Sequence, residues 1–204
     1  MRATKVNLQN EIIEAIKVAS AEALKKTGVH IRKLPEYFLN VFIVNELTEK
    51  FDTLGYRLEM PVKAVLTSLG VEVVNSPLDI RDSGNFDIVL TSRKSGAIRH
   101  VVEVKRSLSN RQLVKEAKRL KALALEKHES KRLQTGFIAT VSRLKHSTRS
   151  LDLDKLLDKR LDTINEVLDN LAKVSCRYEL LESGDYGFDQ NESLLITVFC
   201  IEKS

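Results

Sequence analysis

Apolar residues recur at helical spacing through the first 50 residues of the chain. One set predicts a helix over residues 8–27 that ends at Gly28, and a second set predicts a helix that opens at Pro35 and reaches about Phe51. The first set comprises Ile12, Ile13, Ile16, Ala19, Ala23 and Leu24, and the second comprises Leu34, Phe38, Val41, Val44, Leu47 and Phe51.

Short apolar runs separated by turn residues predict strands in the middle of the chain. We expect strands at 56–59, 71–74, 86–91, 98–105 and 136–141. A short helix opened by Pro61 should lie between the first two of these strands, and a loop should cover 75–85. A longer helix over 111–128, capped by Ser109 or Asn110, should precede the last strand.

The C-terminal quarter combines a helical pattern with two strand patterns. An amphipathic helix is expected over 153–173, followed by antiparallel strands at 177–182 and 194–201 around a polar turn. The resulting order of helix, strands, helix and strand predicts an α/β fold with a mixed central sheet flanked by helices. A chain of 204 residues is expected to form a single domain.

Composition argues against a membrane or secreted protein. No apolar run approaches the roughly 20 residues that cross a bilayer, and the first residues lack the apolar core of a secretory signal. The two cysteines, Cys176 and Cys200, lie in apolar strand patterns without metal-ligand spacing. They are expected to be buried thiols in a reducing environment, which favours a cytoplasmic location.

The net charge of +5 hides an uneven distribution along the chain. Residues 105–149 carry thirteen Lys and Arg against three Glu, whereas residues 151–204 carry six basic groups against twelve acidic ones. A strongly basic segment is typical of a surface that binds a polyanion, although an ordinary charged helix face would look the same.

The most informative chemistry lies at the ends of the two central strands. Side chains at i and i+2 of a strand share a face, so Glu103 and Lys105 should project together. Asp87, on the preceding strand, should join them if the two strands pair. Two carboxylates side by side repel unless a cation lies between them, and Mg²⁺ prefers such oxygen ligands. The pattern predicts a magnesium or manganese site formed by Asp87 and Glu103.

These residues resemble the PD-(D/E)XK nuclease superfamily, whose fold is restriction-endonuclease-like. Glu103-Val104-Lys105 fits the second half of its motif, while Phe86-Asp87 departs from the Pro-Asp of the first half. The resemblance covers about residues 35–142, with 1–34 and 145–204 as additions: an extra N-terminal helix, and a C-terminal helix with a strand pair. It implies metal-dependent cleavage of phosphodiester bonds, in DNA rather than RNA, with Asp87, Glu103 and Lys105 as catalytic residues.

The resemblance also implies an acidic residue on the leading helix that reaches the metal. Glu36 is the favoured candidate, with Glu46 as its rival and Glu59 on the first strand as a third. Glu36 could equally serve the helix dipole, and Glu46 could simply be solvated. Asp79 and Asp82 are weaker alternatives to Asp87 because they lack its strand context.

The helix that follows Lys105 supplies candidates for contact with nucleic acid. Four basic residues and one amide were singled out on it: Gln112, Lys115, Lys118, Arg119 and Lys121. The expected partner is DNA, and a homodimer is compatible with the family. The alternative is a nuclease-fold module that has lost catalysis and binds nucleic acid or a partner protein.

Overall fold

The computed structural model describes residues 3–70, 84–107, 109–125, 133–145, 153–182, 186–187 and 191–204. In chain order its elements are α1 (Lys5–Thr27), a 3₁₀ turn (Ile31–Lys33), α2 (Glu36–Lys50), β1 (Leu54–Pro61), α3 (Val62–Leu69), β2 (Asn85–Ser92), β3 (Ile98–Lys105), α4 (Asn110–Leu125), β4 (Thr135–Lys145), α5 (Leu153–Leu168), β5 (Ala172–Leu181) and β6 (Glu192–Lys203).

The strands form one mixed sheet in the order β1-β2-β3-β4-β6-β5. The first three make an antiparallel meander, β3 and β4 run parallel with α4 as their crossover, and β6 pairs antiparallel with both β4 and β5. The expected α/β fold, with a mixed sheet and flanking helices, is confirmed. None of the described helices is both long enough and apolar enough to cross a bilayer.

Helices cover both faces of the sheet and divide the core in two. Helices α1 and α2 pack on one face, here called the α1 face, and α3, α4 and α5 pack on the other, the α4 face. Strand β3 shows the alternation: Val102 and Val104 belong to the α1-face core and Val101 to the α4-face core. Because alternate residues share a face, Glu103 and Lys105 project to the α4 face.

Two glycines explain local features of this arrangement. Gly28 ends α1 in the left-handed region, at φ 69°, and its N–H bonds the Leu24 carbonyl. Gly136 on β4 lets α4 lie close to the sheet, because a Cβ there would come within 2.9 Å of Leu120 Cδ2. The position of α4 therefore depends on a residue without a side chain.

The predicted elements agree with the observed ones except in the α5 region. The helix expected over 153–173 ends at Leu168, because Asp169 and Asn170 adopt left-handed φ values of 51° and 58°. Ala172 and Lys173 then pair with β6 as the start of β5. The strand expected at 71–74, the acids Asp79 and Asp82, and the helix end at 126–128 lie outside the described residues. Both cysteines are free thiols; Cys200 is buried, and Cys176 is only partly so.

Candidate functional site

Asp87, Glu103 and Lys105 meet at one edge of the sheet. Because β2 and β3 are antiparallel, the start of β2 and the end of β3 lie at the same edge. The paired positions of the two strands run only as far as Ile88 and Val102. Beyond them the Val104 N–H donates to Asp87 Oδ2 at 2.7 Å, so a carboxylate replaces a main-chain acceptor at this point.

The Lys105 ammonium lies where three oxygen atoms converge. Its Nζ is 3.0 Å from Asp87 Oδ2, 3.3 Å from Glu103 Oε2 and 3.0 Å from the Val104 carbonyl oxygen. Only 1% of the Glu103 side chain and 17% of the Lys105 side chain are exposed. Two strands thus direct two carboxylates and a carbonyl at one largely buried cation.

Arg119 on α4 closes the cluster from above the sheet. Its Nη1 lies 3.0 Å from Glu103 Oε1, and its guanidinium carbon lies 4.0 Å from the centre of the Phe86 ring. Its Nη2 donates to the Asn85 carbonyl at 2.9 Å. The contact with Glu103 is an ion pair without hydrogen-bond alignment, so Glu103 Oε1 has no hydrogen-bond donor among the described residues.

A third carboxylate, Glu116, lies beside Arg119. Its Oε2 is 3.5 Å from Arg119 Nη1, and the residue is buried. The cluster therefore contains three carboxylates and two cations. When all five groups are ionised it carries a net negative charge, which leaves room for further positive charge.

Burial and the neighbouring charges shift two of these groups. Burial raises the pKa of Glu103 well above its ordinary value and Asp87 raises it further, while Arg119 and Lys105 act in the opposite direction. Burial by itself would lower the pKa of Lys105, but Glu103 and Asp87 outweigh it and raise that pKa. Lys105 is therefore held as the cation.

The donor set fits a hard divalent ion that keeps several of its water ligands. Asp87, Glu103 and the Val104 carbonyl offer oxygen atoms around one point, and Glu103 Oε1 is buried without a donor. No group of three or more His, Cys, Asp or Glu side chains is placed to hold a metal within the described part of the chain. Mg²⁺ is commonly bound by one or two carboxylates and several waters, so two carboxylates and a carbonyl suffice for such a site.

The candidate acids on the leading helix and first strand form no hydrogen bond or ion pair with Asp87, Glu103 or Lys105 within the described residues. Glu36, in the first turn of α2, accepts the Arg106 N–H at 3.1 Å, one residue beyond Lys105. Glu59 has a φ of 50° and accepts a long hydrogen bond, 3.5 Å, from Asn40 of α2. Glu46 lies more than two turns further along α2. Glu36 is thus tied to the chain segment that carries Lys105.

The five residues singled out on α4 serve different purposes. Gln112 forms a reciprocal capping box with Ser109, whose N–H donates to Gln112 Oε1 at 3.0 Å. Lys121 donates to the Val167 carbonyl at 2.9 Å, and Arg119 is engaged in the cluster. Lys115 and Lys118 are exposed. Two of these four basic residues on α4 are therefore engaged with other parts of the protein, and the other two are exposed.

Sequence reasoning missed Glu116 and did not predict that Arg119 contacts Glu103. Glu116 lies three residues after Leu113 and four before Leu120, which places it on the buried stripe of α4. That spacing was the available signal. Arg119 gives no comparable signal, because a long side chain can extend to a partner on a neighbouring element.

A scan of protein-family models gave no match to this chain, and searches of curated proteins and of solved structures gave none either.

Proposed function

We propose that the protein is a metal-dependent nuclease that hydrolyses phosphodiester bonds, with DNA as its substrate. The observation that carries the proposal is the convergence of Asp87, Glu103 and the Val104 carbonyl on a single point at the sheet edge. In the described conformation the Lys105 ammonium takes the position that a divalent ion would need. Burying such a cluster is costly, and a catalytic role gives a reason to retain it.

The order of the elements supports the finer part of the proposal, a restriction-endonuclease-like core. From α2 to β4 the chain forms a leading helix, a three-strand antiparallel meander interrupted by α3 between β1 and β2, a crossover helix and a parallel strand. This is the order that the resemblance to the PD-(D/E)XK superfamily implies for residues 35–142. The position of Asp87 at the start of β2 and of Glu103 and Lys105 at the end of β3 supports the same proposal.

Each residue then has a defined role. Asp87, Glu103 and the Val104 carbonyl would hold Mg²⁺ or Mn²⁺, and Arg119 fixes the Glu103 carboxylate through their 3.0 Å contact. The bound ion supplies Lewis-acid activation of the phosphate and of a water molecule. Lys105, freed from its three oxygen partners, stabilises the charge that develops on the phosphate or orients the water.

The second candidate function is a nuclease-fold module without catalysis. The observation that favours it is that Lys105 and Arg119 both lie within 3.3 Å of Glu103 and already compensate the charge of this one carboxylate. In that case the cluster would be structural, and a divalent ion would not displace Lys105.

Plasmid nicking in Mg²⁺, in Mn²⁺ and in EDTA tests the proposal. We expect cleavage in either metal and none in EDTA, and a loss of roughly 10²–10³-fold in Lys105→Ala, the range for removing one group that stabilises transition-state charge. Glu103→Gln should also abolish cleavage, and its thermal unfolding must be compared with wild type because Glu103 pairs with Arg119.

Lys17→Ala is the matched control, because Lys17 also bridges two carboxylates, Glu14 and Glu179, far from the cluster. It should cleave like wild type. Folded protein that cleaves no substrate with either metal would make the module the better account.

A further inference from the structure

Three arginines from distant parts of the chain meet at the same sheet edge as the acid cluster, but on the α1 face. Arg106 directly follows β3, and Arg143 lies near the end of β4. Strands β3 and β4 are parallel with Lys105 opposite Thr140, so the last part of β4, which carries Arg143, extends beyond the end of β3. Arg143 shares a face with Val141 and Arg106 with Val104, and both valines belong to the α1-face core. The 3₁₀ turn brings Arg32 to this place.

Reciprocal hydrogen bonds hold Arg32 and Arg106 together. Arg32 Nε donates to the Arg106 carbonyl at 3.1 Å, and Arg106 Nη1 donates to the Arg32 carbonyl at 3.3 Å and to the Leu34 carbonyl. His30 Nδ1 accepts the Arg32 N–H at 3.1 Å and so caps the turn. These bonds use main-chain partners, so they hold the side chains in place without neutralising their charge.

The cations outnumber their carboxylate partners. Arg143 pairs with Glu192, and Arg106 Nε lies 3.9 Å from Glu36. Arg32 forms no ion pair within the described residues, and Lys33 beside it is exposed. Burial lowers the pKa of Arg32, and the nearby charges of Arg143 and Arg106 lower it further, while the Glu192 carboxylate acts in the opposite direction. Like charges gathered in this way favour an anionic ligand.

We propose that Arg32, Lys33, Arg106 and Arg143 form a phosphate-binding track that continues from the Asp87–Glu103–Lys105 cluster across the ends of β3 and β4. The backbone of the nucleic acid would cross the sheet edge there instead of following α4. Guanidinium groups bind phosphate through paired hydrogen bonds, which suits them to this role. The inference rests on the proposed function for the identity of its ligand.

The two sites are joined through the chain itself. Arg106 follows Lys105 directly, and its N–H is held by Glu36. A phosphate at the acid cluster and a neighbouring phosphate at the arginines would therefore lie on either side of one short main-chain segment. The α4 helix offers fewer available cations to a phosphate, since Arg119 and Lys121 are already engaged.

The test is the salt dependence of binding to a fluorescein-labelled 20-base-pair duplex, measured by anisotropy in EDTA so that no cleavage occurs. Arg32→Gln and Lys33→Gln should each make the log–log slope shallower by about 1, because each phosphate contact contributes roughly −0.9. Arg32→Lys keeps the charge and should keep most of the slope. Lys33→Gln changes an exposed side chain, so its result does not depend on refolding of the turn.

Lys115→Gln with Lys118→Gln on α4 is the matched control, and it should leave the slope unchanged. The track is overturned if this control makes the slope shallower while Arg32→Gln and Lys33→Gln leave it unchanged. It is also overturned if the wild type does not bind the duplex. Wild-type cleavage with an unchanged Arg32→Gln slope would reject the track alone. If Arg32→Gln and Lys33→Gln make the slope shallower as expected but the wild type binds no metal, the proposed nuclease is rejected and the track is retained.

Discussion

The protein places a lysine between two carboxylates twice, in very different surroundings. Lys105 lies 3.0 Å from Asp87 and 3.3 Å from Glu103, and Lys17 lies 3.1 Å from Glu14 and 2.7 Å from Glu179. Glu103 is 1% exposed, whereas Glu14 is 54% exposed and faces an open groove of about 550 Å³ between α1 and β5. The distances are alike and the burial is not.

The difference in burial determines what can be inferred from each of these two lysine–carboxylate bridges. An exposed bridge costs little to form and contributes little to stability, so its presence needs no further explanation. A buried bridge must overcome the desolvation of every charged group in it, and apolar residues would often serve stability as well. The Lys105 bridge also includes a main-chain carbonyl and a second cation, Arg119, whereas the Lys17 bridge consists of Lys17, Glu14 and Glu179.

The largest effect on stability should come from Arg119→Met. This change removes one of the two cations that compensate Glu103 and leaves a buried carboxylate less well paired, at a cost of about 3 kcal/mol. Urea unfolding near neutral pH measures the loss. Lys118→Met, on the neighbouring exposed position, is the control and should change stability by less than about 0.5 kcal/mol. A loss below about 1 kcal/mol in Arg119→Met would mean that burial does not strengthen the ion pair between Arg119 and Glu103.

His100 offers a second buried ionisable group on the same strand, held neutral instead of paired. Burial, with a smaller effect from Arg99, lowers its pKa from 6.5 to about 4, and its Nδ1 lies 2.6 Å from Thr135 Oγ1. The unfolded chain therefore binds the proton more tightly than the folded one. The contribution of His100 to stability is complete above pH 6.5 and falls by about 3 kcal/mol as the pH decreases to about 4.

The difference between wild type and His100→Gln isolates this effect from that of the acid cluster. Glutamine retains a hydrogen-bonding group for Thr135 but does not titrate in this range. The wild type should lose stability relative to the variant between pH 6.5 and 4. Parallel stability curves over that interval would show that His100 is protonated as easily in the folded protein as in the unfolded chain.

The smallest effect should come from Lys17→Met. The hydrogen bond to Glu179 raises the pKa of Lys17 despite some desolvation, but the groups are too exposed for a large contribution. We expect a loss of at most about 1 kcal/mol in urea unfolding, reduced further in high salt. If the loss equalled that of Arg119→Met, the contrast between the two bridges would disappear.

Local patterns in the sequence predicted much of this architecture. Two-residue alternation along β3 was enough to place Glu103 and Lys105 together, and Gly28 marked the end of α1. The end of α5 could not be predicted in the same way, because Leu171 continues the helical spacing of Ile164 and Leu168 although the chain turns at Asp169.

The charged contacts between elements were not predictable from local patterns. Arg32 and Arg106 are separated by 74 residues, and only the packing of the 3₁₀ turn against the ends of the strands brings them together. Nothing in the local sequence distinguishes Arg119 from Lys115 and Lys118, which are exposed on the same helix. Glu103 can be identified as the partner of Arg119 only when the position of α4 on the sheet is known.

Calorimetric titration with Mn²⁺ tests the central claim, that the point between Asp87, Glu103 and the Val104 carbonyl is a cation site. We predict one site in the wild type, loss of binding in Asp87→Asn, and unchanged binding in Glu179→Gln, which alters the exposed bridge. Lys105→Met should bind Mn²⁺ at least as tightly as the wild type, because its ammonium no longer competes for the three oxygens. Absence of binding in both the wild type and a folded Lys105→Met would contradict the claim.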